Sequence, residues 1–142
     1  MHPSLKFSVL CAVLMLSACN ASKPVLTPFH RGPWEQRIGF SQAIQVGNRL
    51  YISGCVGDAS KTFEEQMKQA YSEIQETLDH YKIGLSSIVM ERIYTTDMES
   101  LIKFQETRKS IYGEHLPAAT WVEVKGLYQK GLQIEIEVEV TL

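Results

Sequence analysis

The sequence predicts an α+β two-layer sandwich, in which two helices cover one face of a mixed β-sheet. Three observations predict it. Phe63 to Leu78 carries a single helical apolar stripe, five other runs carry strand patterning, and their order along the chain is β-β-α-β-α-β-β. The 142 residues are enough for one domain with a proper core and too few for two.

The first eighteen residues stand apart from that domain. Lys6 supplies a short positive region, Phe7 to Leu16 forms an apolar run of ten residues, and Leu16-Ser17-Ala18-Cys19 closes it with small residues. Ten apolar residues cannot cross roughly 30 Å of hydrocarbon as a helix, so residues 1–18 read as a signal peptide. Leu-Ser-Ala-Cys resembles the bacterial lipobox, which implies that Cys19 is acylated and becomes the mature N-terminus. The resemblance implies an exported lipoprotein on the periplasmic side. Asn20, where Asp would retain it, points to the outer rather than the inner membrane in a Gram-negative cell. Residues 19–33 hold three prolines and Gly32 with no sustained period. They are expected to form the lipidated N-terminus and an extended tether, leaving 34–142 as the domain.

Removing residues 1–18 takes Lys6 and no acid, so 13 Lys+Arg face 16 Asp+Glu and the net charge is near −3. That balance offers no electrostatic footprint for nucleic acid and no basic cluster for a membrane surface. The lipid alone would attach the protein to a membrane. Cys11 leaves with the signal and Cys19 becomes a thioether, so Cys55 is the one free thiol and no disulfide framework is expected.

Each element has a local reason. Ser41–Val46 and Arg49–Gly54 are β-patterned and separated by Gly47-Asn48, a hairpin signal. Gly54 and Gly57 are expected to break the second strand around Cys55. Thr62-Phe63-Glu64-Glu65 fits a capping box that opens the first helix. Phe63, Met67, Ala70, Tyr71, Ile74 and Leu78 then form its core-facing stripe, and Gly84 is expected to end it. Ser87–Thr95 reads as a strand. Asp97 is a good N-cap for a second helix, with Leu101, Phe104, Arg108, Ile111 and Tyr112 on one side. Gly113 stops that helix and Pro117 forbids a restart. Ala119–Lys125 and Gln133–Val140 complete the strands. The sheet's second face needs a cover that this chain does not supply, which an oligomer would provide.

Several motifs together resemble the Rid family (reactive intermediate deaminase, RidA-like). They are Gly39-Phe40-Ser41-Gln42-Ala43-Ile44, Val46 to Gly54, the Asp97 helix start, Leu116-Pro117-Ala118-x-Thr120 and Ile134-Glu135-Ile136-Glu137. The resemblance implies a chorismate-mutase-like fold, a homotrimer and small-metabolite clefts between subunits. It further implies hydrolysis of enamines and 2-imino acids to 2-keto acids and ammonia, without metal or cofactor. In the family an arginine after the Pro-Ala pair clamps the substrate carboxylate, and a glutamate at the start of the last strand handles the attacking water.

Carried over by position, that glutamate is Glu135, and Ser53 and Gly54 are kept. The arginine position is Ala119, the usual tyrosine is Phe40, a common glutamine is Cys55, and an asparagine is Gln105. A carboxylate entering a partly desolvated cleft without its partner loses about 3–5 kcal/mol, so efficient 2-imino acid deamination is not expected. Arg108 and Lys125 are the candidate substitute cations. Trp121 shares the strand face of Ala119, where it either fills the cleft or offers a stacking wall.

Glu135, Glu137 and Glu139 alternate with Ile136, Val138 and Val140, a pattern that alone says solvent against core. Only the family match lifts Glu135 to a candidate general base. Cys55 as a nucleophile would need a nearby base or cation, and no histidine is adjacent in sequence. His2, His30, His80 and His115 have no metal-ligand spacing. Two classes of function follow. One is a cofactor-free hydrolase of an enamine or imine without a carboxylate. There Glu135 directs water, and Ser53, Gly54 and Gln105 position the substrate. The other is a module, without turnover, that holds a neutral or aromatic metabolite against Phe40 and Trp121 or serves only as structure.

Overall fold

A computed structural model describes residues 23–142 of the chain. The expected signal peptide and Cys19 lie outside the described residues. The elements are β1 (Leu26–Phe29), α1 (Pro33–Ile38), β2 (Ala43–Val46), β3 (Arg49–Val56), α2 (Phe63–His80), β4 (Ile88–Thr95), α3 (Met98–Lys103), α4 (Gln105–Tyr112), β5 (Ala118–Glu123) and β6 (Ile134–Thr141). The sheet has the order β1-β2-β3-β6-β4-β5. Only β4 and β5 run parallel, so the sheet is mixed, with the helical layer on one face.

α2 forms for the reasons its sequence gives. Thr62 accepts the Glu65 amide while the Glu65 carboxylate takes the Thr62 amide, closing the capping box. Met67, Ala70, Tyr71, Ile74 and Leu78 are buried against Leu50, Ile52, Ile93, Ile134, Ile136, Val138 and Val140 of the sheet. The helix ends four residues before Gly84. Lys82, at φ 58°, donates to Asp79 and Ile83 donates to Leu78, a Schellman closure made without glycine.

Three further expectations are corrected. Gly54 does not break β3: the strand runs on to Val56, with its register against β6 shifting between Ile52 and Cys55, so the glycine is absorbed as a bulge. The helix after Asp97, which caps it by accepting the Ser100 amide at 2.9 Å, is two helices that break at Phe104, whose ring stacks on Phe63. The stretch expected to be an extended tether joins the domain from Leu26 onward. β1 pairs antiparallel with β2, Phe29 stacks on His80 at the end of α2, and Pro33 starts α1 where a missing amide proton costs nothing.

The open face of the sheet mixes an ion cluster with exposed apolar side chains. Arg92 bridges Glu137 at 3.1 Å and Glu139 at 2.8 Å, and Tyr51, Val89 and Val122 are exposed. β6 alternates buried and half-buried residues along its length, as its Ile/Val–Glu pattern requires.

Candidate functional site

A gap in the sheet makes the site. β2 pairs with Arg49–Ile52 only, so Ser53–Val56 of β3 have no strand on that side. The Gly39–Gln42 link runs there instead. The Ser53 amide donates to the Gln42 carbonyl at 2.9 Å, and the Ser53 hydroxyl donates to the Ser41 carbonyl at 2.7 Å. α1 and α2 flank this place and enclose a cleft of about 900 Å³. Phe40, Ser53, Gly54 and Glu135 line it, together with Trp34 of α1, Tyr128 of the β5–β6 loop, and Arg31, Glu73 and Glu76.

Glu135 sits over Gly54. A Cβ on residue 54 would fall on the Glu135 carboxylate and lie 2.8 Å from its Cγ, so glycine is what lets the side chain lie there. Half-burial, and then the charge of Glu137, push the Glu135 carboxyl above the ordinary carboxylate range. Among the described residues no side-chain donor occupies it. A carboxylate with a raised pKa that faces a cleft is a stronger base than an ordinary one and is suited to taking and returning a proton.

Arg31 is the cationic side chain that lines the cleft. Its guanidinium bridges Glu73 at 3.1 Å and Glu76 at 2.8 Å. Glu35, fully buried, accepts the Arg31 amide at 3.1 Å and so fixes the turn from which that side chain reaches α2. Trp34 and Phe40 meet edge to face, with ring centroids 5.7 Å apart.

The remaining candidate residues line no part of this cleft within the single chain. Cys55 lies beneath the cleft floor and is 1 % exposed; it takes a hydrogen bond from the Gln42 amide at 3.3 Å. Burial first, and then the charge of Glu73, push its thiol up to about 12, so it stays protonated and unreactive at neutral pH. Ala119, Trp121 and Gln105 lie away from the cleft of their own chain. Ala119 and Trp121 pair with Glu91 and Ile93 of β4, both fully buried, and therefore face the helical layer. Glu135 pairs with Tyr94, on the opposite face. Trp121 packs on the core beneath the Arg108 guanidinium, 5.5 Å from its ring. Gln105 is exposed at the start of α4.

Neither candidate substitute cation reaches the cleft. Arg108 is buried and bound to Glu91 at 2.6 Å, while Lys125 is exposed beyond the end of β5. Sequence reasoning missed Arg31, Trp34, Glu73, Glu76 and Tyr128. Glu73 and Glu76 look like any polar helix flank. Arg31 and Trp34 lay beside three prolines; the one usable signal was Gly32-Pro33, a helix start. Among the described residues, no group of three His, Cys, Asp or Glu side chains is placed to hold a metal ion.

Fold and cleft define a small α+β protein with a carboxylate-bearing pocket at a sheet edge. Residues 34–142 match the family described as Endoribonuclease L-PSP, and the chain belongs to this family, the Rid or YjgF family, as its motifs implied. It is 33% identical over 125 residues to a RutC family protein of Pyrococcus horikoshii, covering 83% of this chain and 89% of the relative. It is 28% identical over 110 residues to a 2-iminobutanoate/2-iminopropanoate deaminase of Dermatophagoides farinae, covering 72% of this chain and 85% of that one. A crystal structure of a Mycobacterium tuberculosis member of the YjgF/YER057c/UK114 family superposes with a TM-score of 0.76 at 27% identity, over 83% of this chain and 100% of that one.

Proposed function

We propose that this protein hydrolyses a small imine or enamine that carries no carboxylate, with Glu135 as the general base. The observation that carries the reading is Glu135 itself, half-buried at a cleft wall with its carboxyl pushed above the ordinary range. The reaction balances without a cofactor. Water adds its oxygen to the imine carbon while Glu135 takes a water proton. The nitrogen gains a proton, and the carbinolamine collapses to a carbonyl compound and ammonia. An enamine enters the same path after protonation at carbon.

The missing carboxylate clamp supports the restriction on substrate. Residue 119 is alanine, and Arg31 has both its prongs on glutamates. The deaminase named for 2-iminobutanoate is the mite relative, and carrying that substrate to this chain would leave its carboxylate unpaired. Ribonuclease activity, suggested by the family's description, has less support. The cleft shows carboxylates to a ligand that would be a polyanion, and the chain's formal net charge is −2.

The test is ammonia release from carboxylate-free imines generated in situ, compared between wild type and Glu135→Gln. Loss of release in the variant, with folding intact, is the expected result. A module that binds without turnover is the second reading, favoured by the Trp34–Phe40 wall; there Glu135→Gln leaves ligand binding unchanged and no ammonia appears with either protein.

Two further parts belong to this proposal. The exposed sheet face and the β5 edge suit a homotrimer in which a neighbouring copy closes the cleft. Residues 1–18 are removed and Cys19 is acylated, holding the domain to a bacterial membrane on the periplasmic side. Mass spectrometry of the mature N-terminus from wild type and Cys19→Ala tests this: a lipid mass that survives the substitution would exclude it.

A further inference from the structure

We propose that the cleft selects organic cations: its ligand is a compact amine, amidine or iminium, with the positive nitrogen toward the α2 carboxylates and an apolar or aromatic body against Trp34 and Phe40. This deepens the hydrolase reading and rests on it for the place where the reacting carbon sits.

Charge makes the first case. The cleft walls present four carboxylates, Asp58, Glu73, Glu76 and Glu135, and one guanidinium, Arg31. That guanidinium is already engaged. Its two terminal nitrogens lie 3.1 Å from Glu73 and 2.8 Å from Glu76, so the fork that would grip a substrate carboxylate is filled by the protein's own. An incoming anion meets uncompensated negative charge, while a cation meets carboxylates spaced around it.

The walls make the second case. Trp34 is 44 % exposed and lines the cleft beside Phe40, so aromatic surface is within reach of a ligand. Aromatic faces attract ammonium and guanidinium groups, and more strongly where water is excluded. Carboxylates beside aromatic rings, with no free cation among the described residues, form a site for a positive nitrogen on a greasy body.

Chemistry makes the third case. A protonated imine is the electrophilic form, and surrounding carboxylates favour it over the neutral base. Water then adds to the iminium carbon while Glu135 takes one water proton; Glu135 gives that proton to the carbinolamine nitrogen, the C–N bond breaks, and the hydroxyl proton leaves with the ammonia as ammonium. The sum is iminium plus water giving carbonyl plus ammonium. The same negative field that repels 2-imino acids thus activates the ligands it admits.

The test compares three probes of one shape by ligand-observed NMR titration on the folded protein: benzylammonium, benzyl alcohol and benzoate. Benzylammonium is expected to bind at least tenfold more tightly than benzoate, with the alcohol between them, and 0.5 M NaCl should shrink the gap. Glu73→Gln/Glu76→Gln removes two carboxylates and frees Arg31, and should close or invert the order. Glu76→Gln alone, at an exposed position, should move it the same way if the double variant does not fold. Benzoate binding as well as benzylammonium to the wild type would overturn the proposal and make Arg31 an anion clamp. Failure of all three probes to bind would overturn it too. Cation preference with undiminished turnover in Glu135→Gln removes the hydrolase reading and leaves this one. Glu135-dependent turnover without cation preference does the reverse.

Discussion

Gly54 and Glu135 work as one unit, because the carboxylate occupies the space that any side chain at 54 would take. Gly54→Ala must therefore move Glu135 or the bulge beneath it, at about 1–3 kcal/mol for overpacking. The expected outcome is a fall in turnover larger than the loss of stability explains, read from kcat beside a urea midpoint. Glu135→Gln should lower kcat by about 10²- to 10⁴-fold, the usual worth of a positioned acid–base group. Its carboxyl lies above the ordinary range in the fold, chiefly through burial. The active form is the ionised one, so turnover should rise with pH through an apparent pKa above about 4.3, the unperturbed value. That limb should vanish in the variant. Stability follows the opposite sign. The folded state holds this proton longer than the unfolded one, so the wild type loses stability as pH rises from the unfolded to the folded pKa. Glu135→Gln should then be the more stable protein at pH 7, with the two converging below about pH 4.

Elements are tied together by a second carboxylate far from the cleft. Glu91 of β4 is fully buried and receives the Tyr71 hydroxyl from α2, the Tyr112 hydroxyl from α4 at 2.7 Å, and the Arg108 guanidinium at 2.7 Å. Burial and the Glu91 charge push both tyrosine hydroxyls up, so they stay donors. Arg108→Met leaves Glu91 buried without its counter-charge and should cost about 3–5 kcal/mol, measured by chemical denaturation. Adding Glu91→Leu should recover part of that loss; a double variant less stable than the single would refute the account. The sequence placed Arg108 on the correct side of its helix, but nothing local tells a buried ion pair from a solvated one. What was legible was periodic or capped: the α2 stripe, the Thr62 and Asp97 caps and the β6 alternation each state their partner within a few residues. β1 and α1 were illegible for the converse reason. β1 is an edge strand of four residues containing Pro28, tolerable only because one side goes unpaired. It gains its place from β2 and His80, contacts that no window around it contains. The cleft suffered the same way. Its floor came from motifs in β3 and β6, while its charged wall came from α2 and from Arg31 just before α1, which meet only in the fold.

At the scale of the whole molecule, the family's carboxylate-clamp position and its water-handling glutamate do not meet in one chain. Ala119 lies on β5, beyond β4 from Glu135 and on the other face of the sheet. An arginine placed there cannot round the sheet edge to its own Glu135. It can reach the Glu135 cleft of a neighbouring copy, if copies assemble with the β5 edge of one against the open cleft of the next. Ala119→Arg is therefore a test of assembly as well as of chemistry. In a trimer so arranged, the substitution should raise turnover of 2-iminobutanoate by roughly two decades, the worth of restoring one buried charge partner at about 1.4 kcal/mol per tenfold. The gain should appear in kcat/KM and disappear on adding Glu135→Gln. Mixing inactive Ala119→Arg/Glu135→Gln chains with wild-type chains should restore part of it, because the arginine and the glutamate then come from different copies. A trimer by light scattering with no gain in the mixture would show that the β5 edge does not close the cleft. The cleft of this protein would then be the single-chain pocket between α1, α2 and the end of β3.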